Sequence, residues 1–263
     1  MDLNPSCMLH IRQNRSELAK YLPFSKTKFE VLKWQDVFQK KAYENCRGLF
    51  TMSQWVKDIV VNNTGISADK VHVVGGGINL DVSQITKEKK ENNKILFVGK
   101  DFYRKGGDLV VKAFQRLKKE MPEAELYIAG PTEKPREIDT APEGIYFLGL
   151  LSYDEVAKYF NMCDIFCMPS RFEAFGLVVI EALVYGLPCI VNNDFAMREI
   201  ICDGENGYVL YDDDLDSLKD KMKMLLHNDK IKENVLRNRD KYLKDYSWDT
   251  VAEKILQAIE SGK

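Results

Sequence analysis

The stretch Pro169–Ile190, PSRFEAFGLVVIEALVYGLPCI, decides the fold. The apolar run Asp164–Met168 before it reads as a strand, and Phe175–Tyr185 carries helical spacing. A new β-branched and apolar run starts at Pro188. A strand, a short loop, a helix and another strand make one parallel crossover unit, which returns to its sheet with fixed handedness. The same alternation extends in both directions. Strands are predicted at Lys94–Gly99, Glu125–Ala129, Ile145–Leu148, Asp164–Met168, Pro188–Asn192 and Tyr208–Tyr211. The helices between them are predicted at Gly107–Met121, Tyr153–Met162, Phe175–Tyr185, Ala196–Ile201 and Leu215–Leu226. Nearly continuous apolar strands alternating with helices indicate a parallel sheet covered on both faces. The expected class is α/β, a doubly wound Rossmann-like domain whose ligands bind at the carboxyl ends of the strands.

Composition narrows the function classes. The 263 residues carry a formal net charge of −2, with 45% hydrophobic and 30% charged residues. That apolar content excludes a disordered chain. The near-neutral balance argues against nucleic acid as a partner, since such binders usually carry a basic excess. Uninterrupted apolar runs such as Ile95–Val98 are four residues long, whereas a membrane span needs about 20, so no transmembrane segment is expected. The amino terminus lacks a basic stretch followed by an apolar one, and the six cysteines are scattered with no CxxC. A reduced, cytoplasmic protein follows as the expectation.

Residues 1–81 are less regular. Helices are predicted at about Val31–Cys46 and Ser53–Val61, and strands at Gly48–Thr51 and Val71–Val74. This piece is short for an independent α/β domain and reads as part of one. Residues 82–93 are polar and charged without an apolar face and read as a linker. The main α/β domain then spans residues 94–246, and residues 247–263 form a C-terminal helix with Ser247 as its N-cap. Residues 1–60 hold ten Lys/Arg against six Asp/Glu. This excess hints at an anionic acceptor or peripheral contact with a membrane surface, against the plainer reading of solvated charge.

Chemistry concentrates at strand ends. The loop after Met168 runs into a helix beginning near Phe175–Gly176, and its free backbone N–H groups and dipole suit a phosphate. Gly176 permits close approach of a ligand to the backbone. Glu173 precedes the helix and Glu181 is expected about two turns inside it. Their eight-residue separation spans about 12 Å at helical rise. Carboxylates accept from sugar hydroxyls. The loop KDFYRKGGD after Val98-Gly99 places Lys100 and Lys105 at another strand end, with Arg104 as an adjacent third cation. Its glycines fit neither GxGxxG nor the P-loop, which disfavours a dehydrogenase or an NTPase.

Taken together, Ser-x-x-Glu-x-Phe-Gly-Leu, Glu-Ala-Leu and Gly-x-Pro strongly resemble the donor site of retaining GT-B glycosyltransferases. This is the group 1, family 4-like class that includes glycogen, sucrose and lipopolysaccharide glycosyltransferases. In that class the cationic loop usually reads Gly-Arg-Leu-x-x-x-Lys-Gly. Here Lys100 stands where Arg is commoner, keeping the charge without the bidentate fork, and Lys105 matches. The resemblance implies a doubly wound donor domain of a GT-B fold, essentially complete, joined to a partial N-terminal acceptor-side region. It implies a hexosyltransferase moving a sugar from a nucleotide-diphosphate donor, UDP- or GDP-linked, to an acceptor hydroxyl with retention.

By that resemblance Lys100, Lys105 and Glu173 are catalytic. Gly99, Gly130, Leu150, Leu151, Phe175, Gly176, Leu177 and Glu181 bind the donor, with Glu181 on the ribose. No metal and no other cofactor is expected. The acceptor would be a saccharide, a lipid-linked sugar or a protein. Most of the acceptor half, with its usual catalytic histidine, has no counterpart here. A separate partner supplying the N-terminal domain is therefore the alternative, making this chain a non-catalytic nucleotide-sugar-binding half. A GT-B epimerase and a structural scaffold also remain open.

Several features have plainer readings. Asp212-Asp213-Asp214 resembles a metal-binding Asp-x-Asp but is expected to be an acidic helix start. Cys163 and Cys167 are expected in the core. His10, His72 and His227 have no companion at ligand spacing, and no Ser/His/Asp constellation can be assembled.

Overall fold

The computed structural model describes residues 4–22, 25–86, 93–139 and 143–261. The N-terminal lobe opens with α1 (Pro5–Asn14), a 3-10 turn (Ser16–Tyr21) and α2 (Phe29–Asn45). It continues with β1 (Leu49–Thr51), α3 (Gln54–Thr64) and β2 (Val71–Val73). The larger domain runs β3 (Lys94–Val98), α4 (Gly107–Glu120), β4 (Glu125–Ala129), α5 (Arg136–Asp139), β5 (Ile145–Gly149), α6 (Tyr153–Met162) and β6 (Ile165–Met168). There follow α7 (Leu177–Val184), β7 (Cys189–Asn192), α8 (Met197–Ile200), β8 (Gly207–Leu210), α9 (Leu215–Leu226), α10 (Asp229–Arg237) and α11 (Arg239–Asp245). α12 (Trp248–Ser261) closes the chain.

The six strands form one parallel sheet in the order β5-β4-β3-β6-β7-β8. Every residue of β6 and β7 is buried, and Ile95, Leu96 and Phe97 of β3 have no exposed surface. Burial of consecutive residues, which point to opposite faces, requires helices on both sides. Strand order reverses between β3 and β6, where Ile95 pairs with Ile165 and Leu96 with Phe166. There the following loops diverge to opposite faces and leave a crevice. The α/β, doubly wound, Rossmann-like class expected from the sequence is the observed one.

Element ends shift for identifiable reasons. β6 starts at Ile165 because the Asp164 carboxylate turns aside to accept the Lys94 N–H at 2.8 Å. α7 starts at Leu177 because Gly176 holds a left-handed φ of 87°. A Cβ on Gly176 would lie 2.1 Å from Met197 Cε. Glu181 therefore stands about one turn inside the helix, not two. α1, α5, α10 and α11 have no counterpart among the elements expected from the sequence.

Two loops at the switch are stitched together. The Arg171 N–H donates to Arg104 O at 2.9 Å, and Arg104 Nη1 donates to Phe172 O at 2.8 Å. The Arg171 guanidinium grips Asp108, at the start of α4, with bonds of 2.5 and 2.9 Å, and reaches Tyr103 O at 2.6 Å. Gly106 takes a φ of 76°, and a Cβ there would stand 2.2 Å from Pro169 O. Only glycine lets the loops approach this closely.

The lobe is tied to the domain across the crevice. Glu199 caps α3 by accepting from the N–H groups of Gln54 and Trp55 at 2.8 and 2.9 Å. Ile78 N–H donates to Tyr246 O, and Trp248 Nε1 donates to Asn79 Oδ1 at 2.8 Å. Arg15 pairs with Asp194 at 3.1 Å. Ile11, Leu18, Leu22, Phe172 and Phe195 form a shared apolar cluster. Within residues 82–93, Val82–Gln84 is a 3-10 turn. Gln84 and Thr86 there bond to Asp154 and Asn161 of α6, so this part is docked rather than free. Residues 87–92 lie outside the described residues. No helix among the described residues is long and apolar enough to cross a membrane.

Breaking the Arg171–Asp108 pair tests the stitching. Arg171→Met leaves a buried carboxylate without its main partner and is expected to cost about 3 kcal/mol of unfolding free energy in urea titration. Arg171→Met/Asp108→Leu is expected to recover most of that loss. A single variant as stable as the parent would show that the pair does not hold the loops.

Candidate functional site

The site is built from backbone outward at the β3/β6 switch. The loop after β6 turns at Ser170 and brings Glu173 beneath the cations of the loop after β3. Lys105 Nζ lies 2.9 Å from Glu173 Oε2 and Arg104 Nη1 lies 3.6 Å from the same oxygen. The Lys105 and Glu173 side chains are each only 15% exposed, so their attraction is weakly screened. Glu173 Oε2 makes no aligned hydrogen bond, and the fully buried Ser170 Oγ has no hydrogen-bond partner among the described residues. A buried polar atom left unmet is uncommon, and Ser170 Oγ at this strand end is one; Glu173 Oε2 is met by the charges of Lys105 and Arg104.

Beside this junction lies a cavity of about 630 Å³, within the usual range of ligand pockets. Lys100, Gly130, Leu150, Leu151 and Glu181 line it. Burial pushes the Glu181 carboxyl above its ordinary pKa, and the Lys105 ammonium pulls it partly back. The Lys105 charge thus acts on both acids, Glu173 by direct contact and Glu181 through space. Leu150 is 59% exposed, presenting an apolar side chain at the cavity rim. Ser152 and Glu155 form a reciprocal cap that fixes the start of α6 just behind it.

The residues singled out from the sequence therefore fall into two adjoining groups. Lys100, Gly130, Leu150, Leu151 and Glu181 share the cavity. Gly99, Lys105, Glu173, Phe175, Gly176 and Leu177 form the junction. Gly99 underlies the Lys105 stem, where a Cβ would meet Lys105 Cδ at 2.6 Å. The Phe175 ring is buried and faces Gly76 and Tyr246. It clamps lobe to domain, leaving only its backbone for a ligand. Lys100 also borders a second, more open depression of about 710 Å³ with Arg104, Lys134 and Arg136.

Sequence reading did not find Asn79, Asp81, Gln84 and Tyr185, which complete the cavity wall. The first three follow the Gly75–Gly77 turn, and no local pattern marks them. Arg171 lay inside the deciding stretch, and its pairing with Asp108 had no signal in spacing. Glu199 caps α3, a contact that spacing along the chain does not signal. Asp214 caps α9 by accepting from Ser217 N–H at 2.8 Å, the plainer reading of that acidic run. Cys163 and Cys167 are buried. Among the described residues no group of three or more His, Cys, Asp or Glu could hold a metal ion.

A parallel α/β sheet with an acid–cation junction at its topological switch and a flanking cavity defines a Rossmann-like fold, the class whose ligands bind at such switch points. Comparison with known proteins narrows the class. The family profile described as Glycosyl transferases group 1 matches residues 80–242. An uncharacterised glycosyltransferase of Methanocaldococcus jannaschii is 29% identical over 239 residues, covering 83% of this chain and 60% of its own length. Sucrose-phosphate synthase of Thermosynechococcus elongatus superposes with a TM-score of 0.72 at 18% identity, over 93% of this chain and 65% of its own. HepE of Anabaena, solved with UDP and glucose, gives 0.69 at 16% identity, over 84% and 64%. The chain belongs to the Glycosyl transferases group 1 family. It spans about 60% of the length of the curated relatives it matches first.

Burial of Glu181 makes a pH prediction. A carboxyl whose pKa is raised on folding binds its proton more tightly folded than unfolded, so it lowers stability as pH rises through the ordinary carboxylate range. Glu181→Gln is expected to melt higher than the parent near neutral pH, with the difference vanishing in acid. Calorimetry at both pH values checks this, and a variant melting no higher at neutral pH would refute it.

Proposed function

We propose that the β3/β6 switch binds a nucleoside-diphosphate sugar and that the protein transfers the sugar to an acceptor hydroxyl with retention at the anomeric carbon, as a hexosyltransferase. The observation that carries this reading is the placement of Lys105 between Glu173, in direct contact, and Glu181, within electrostatic reach, beside a cavity of nucleotide size. Family membership supports it, as does a fold shared with a protein solved with UDP and glucose.

In this reading the start of α7 and the ammonium groups of Lys100 and Lys105 receive the diphosphate. An ammonium has three N–H bonds, so Lys105 can serve Glu173 and a phosphate oxygen together. Charge builds on the departing diphosphate as the bond between the sugar and its phosphate oxygen breaks. Fixed cations in a partly desolvated crevice stabilise it there. The new glycosidic bond forms on the same face, and the acceptor hydroxyl proton leaves with the diphosphate. Glu173 orients the sugar rather than attacking it. Glu181 holds the ribose hydroxyls. Gly130, Leu150 and Leu151 frame the base, and Phe175, Gly176 and Leu177 contribute backbone. The cations take the part a metal ion plays elsewhere, so the reading is metal-independent.

A second reading is favoured by one observation. Among the described residues the N-terminal lobe carries a sheet of two strands beside the six of the larger domain, and a donor-binding half that works with a separate acceptor-side subunit fits that arrangement. It predicts donor binding without transfer by the isolated chain.

Thermal unfolding against UDP, GDP, ADP and their sugars tests the site. Binding at a hundredfold excess over Kd stabilises by about 2.7 kcal/mol, which shifts the melting temperature visibly. Glu181→Ala and Lys105→Ala are each expected to weaken binding of the responsive nucleotide by more than about tenfold. No response to any nucleotide, or unchanged binding in both variants, would overturn the assignment.

A further inference from the structure

α2 presents an apolar face to solvent. Val31, Trp34, Val37 and Phe38 are 42, 64, 54 and 52% exposed. The Trp34 and Phe38 rings touch, with centroids 4.4 Å apart, so they form one continuous surface. Positions 31, 34 and 38 recur at helical spacing, placing them on a single stripe. The opposite side of the helix is occupied. Leu32 is buried against Met8 and Leu9 of α1, and the Ser6 hydroxyl donates to Asp36. The helix is therefore anchored by one face, and its other face, apolar and aromatic, is held outward.

Charge along this segment is basic in excess. Residues 25–47 contain Lys26, Lys28, Lys33, Lys40, Lys41 and Arg47 against Glu30, Asp36 and Glu44, in a chain whose net charge is −2. Lys41 Nζ lies 5.8 Å from the Phe38 ring centroid and Lys33 Nζ lies 4.7 Å from that of Phe29. The Lys41 ammonium thus borders the apolar stripe.

We propose that α2 docks this protein on a bilayer surface rich in anionic phospholipid. Val31, Trp34 and Phe38 enter the headgroup–acyl boundary and Lys33, Lys40 and Lys41 meet the lipid phosphates. A basic helix with aromatic and aliphatic residues on one face has the form of an interfacial anchor. A protein partner fits less well, because protein interfaces are depleted in lysine and this stripe is bordered by it. The inference stands apart from the donor site: it concerns where the protein sits, and its test does not involve nucleotide.

Co-sedimentation of the full chain with large vesicles checks it, comparing phosphatidylglycerol–phosphatidylcholine mixtures with phosphatidylcholine alone. Binding is expected only with the anionic lipid and is expected to fall as salt rises. The exposed pair Trp34→Ser/Phe38→Ser and the charge variant Lys33→Glu/Lys40→Glu/Lys41→Glu are each expected to reduce partitioning by at least about tenfold while leaving the melting temperature near the parent value. Should either variant misfold, quenching of the parent's tryptophan fluorescence by brominated phosphatidylglycerol gives the same reading, with strong quenching expected. No binding of the parent to anionic vesicles overturns the proposal. So does binding that the folded Trp34→Ser/Phe38→Ser variant retains. A dimer in solution that this variant dissolves, without vesicle binding by the parent, would instead assign the face to a second copy and overturn it as well.

Discussion

Everything at the candidate site follows from the reversal of strand order between β3 and β6. A parallel sheet wound in both directions from its centre must send two neighbouring crossovers to opposite faces. The carboxyl ends of those two strands then stand next to each other with no helix between them. Here one end delivers Gly99, Lys100 and the cations of the following loop, and the other delivers Ser170 and Glu173. Neither loop contains a complete site. Only the adjacency of β3 and β6, whose paired residues lie 70 apart in sequence, makes the Lys105–Glu173 contact.

That adjacency is fastened by more than the Lys105–Glu173 attraction. The fastening uses groups that are not themselves exposed to a ligand: the backbone bond from Arg171 to Arg104, the Arg104–Phe172 bond and the fork of Arg171 on Asp108. Gly106 removes the side chain that would otherwise keep the loops apart. The arrangement leaves Ser170 Oγ without a hydrogen-bond partner among the described residues and raises the pKa of Glu181 by burial. These groups are costs to the fold, and they collect in one crevice, as strain tends to at functional positions.

The N-terminal lobe shapes the same crevice from the other side. Glu199 reaches from α8 to cap α3, and Trp248 reaches back to Asn79. Trp55 stacks edge-on against Phe195, which stacks in turn against Phe172, with centroids 5.1 and 5.0 Å apart. Phe195 takes a left-handed φ of 62° to stand between them, an uncommon conformation for a bulky residue. The chain therefore braces the loop bearing Glu173 with aromatic side chains from both parts, although the lobe's own sheet is small.

The sequence by itself determined the alternation of elements in the larger domain, because near-continuous apolar runs and helical periods are local properties and each is written in ten to fifteen neighbouring residues. It also placed Lys100, Lys105 and Glu173 after strand ends, while Glu181 stands a turn nearer the start of α7 than the pattern gave. α1 was missed although Asn4 and Pro5 are a capping residue and a helix-starting proline, and Asn4 Oδ1 does accept from Cys7 N–H. The short, mixed composition that follows obscured that signal. What only the tertiary structure decided is which of these groups meet. The pairing of Lys105 with Glu173, the inward turn of Phe175, the cap of Glu199 on α3 and the cavity wall supplied by Asn79, Asp81 and Gln84 all join segments distant in sequence. Side-chain direction at a strand end depends on what packs against it from elsewhere in the chain, and spacing along the chain carries no record of that contact.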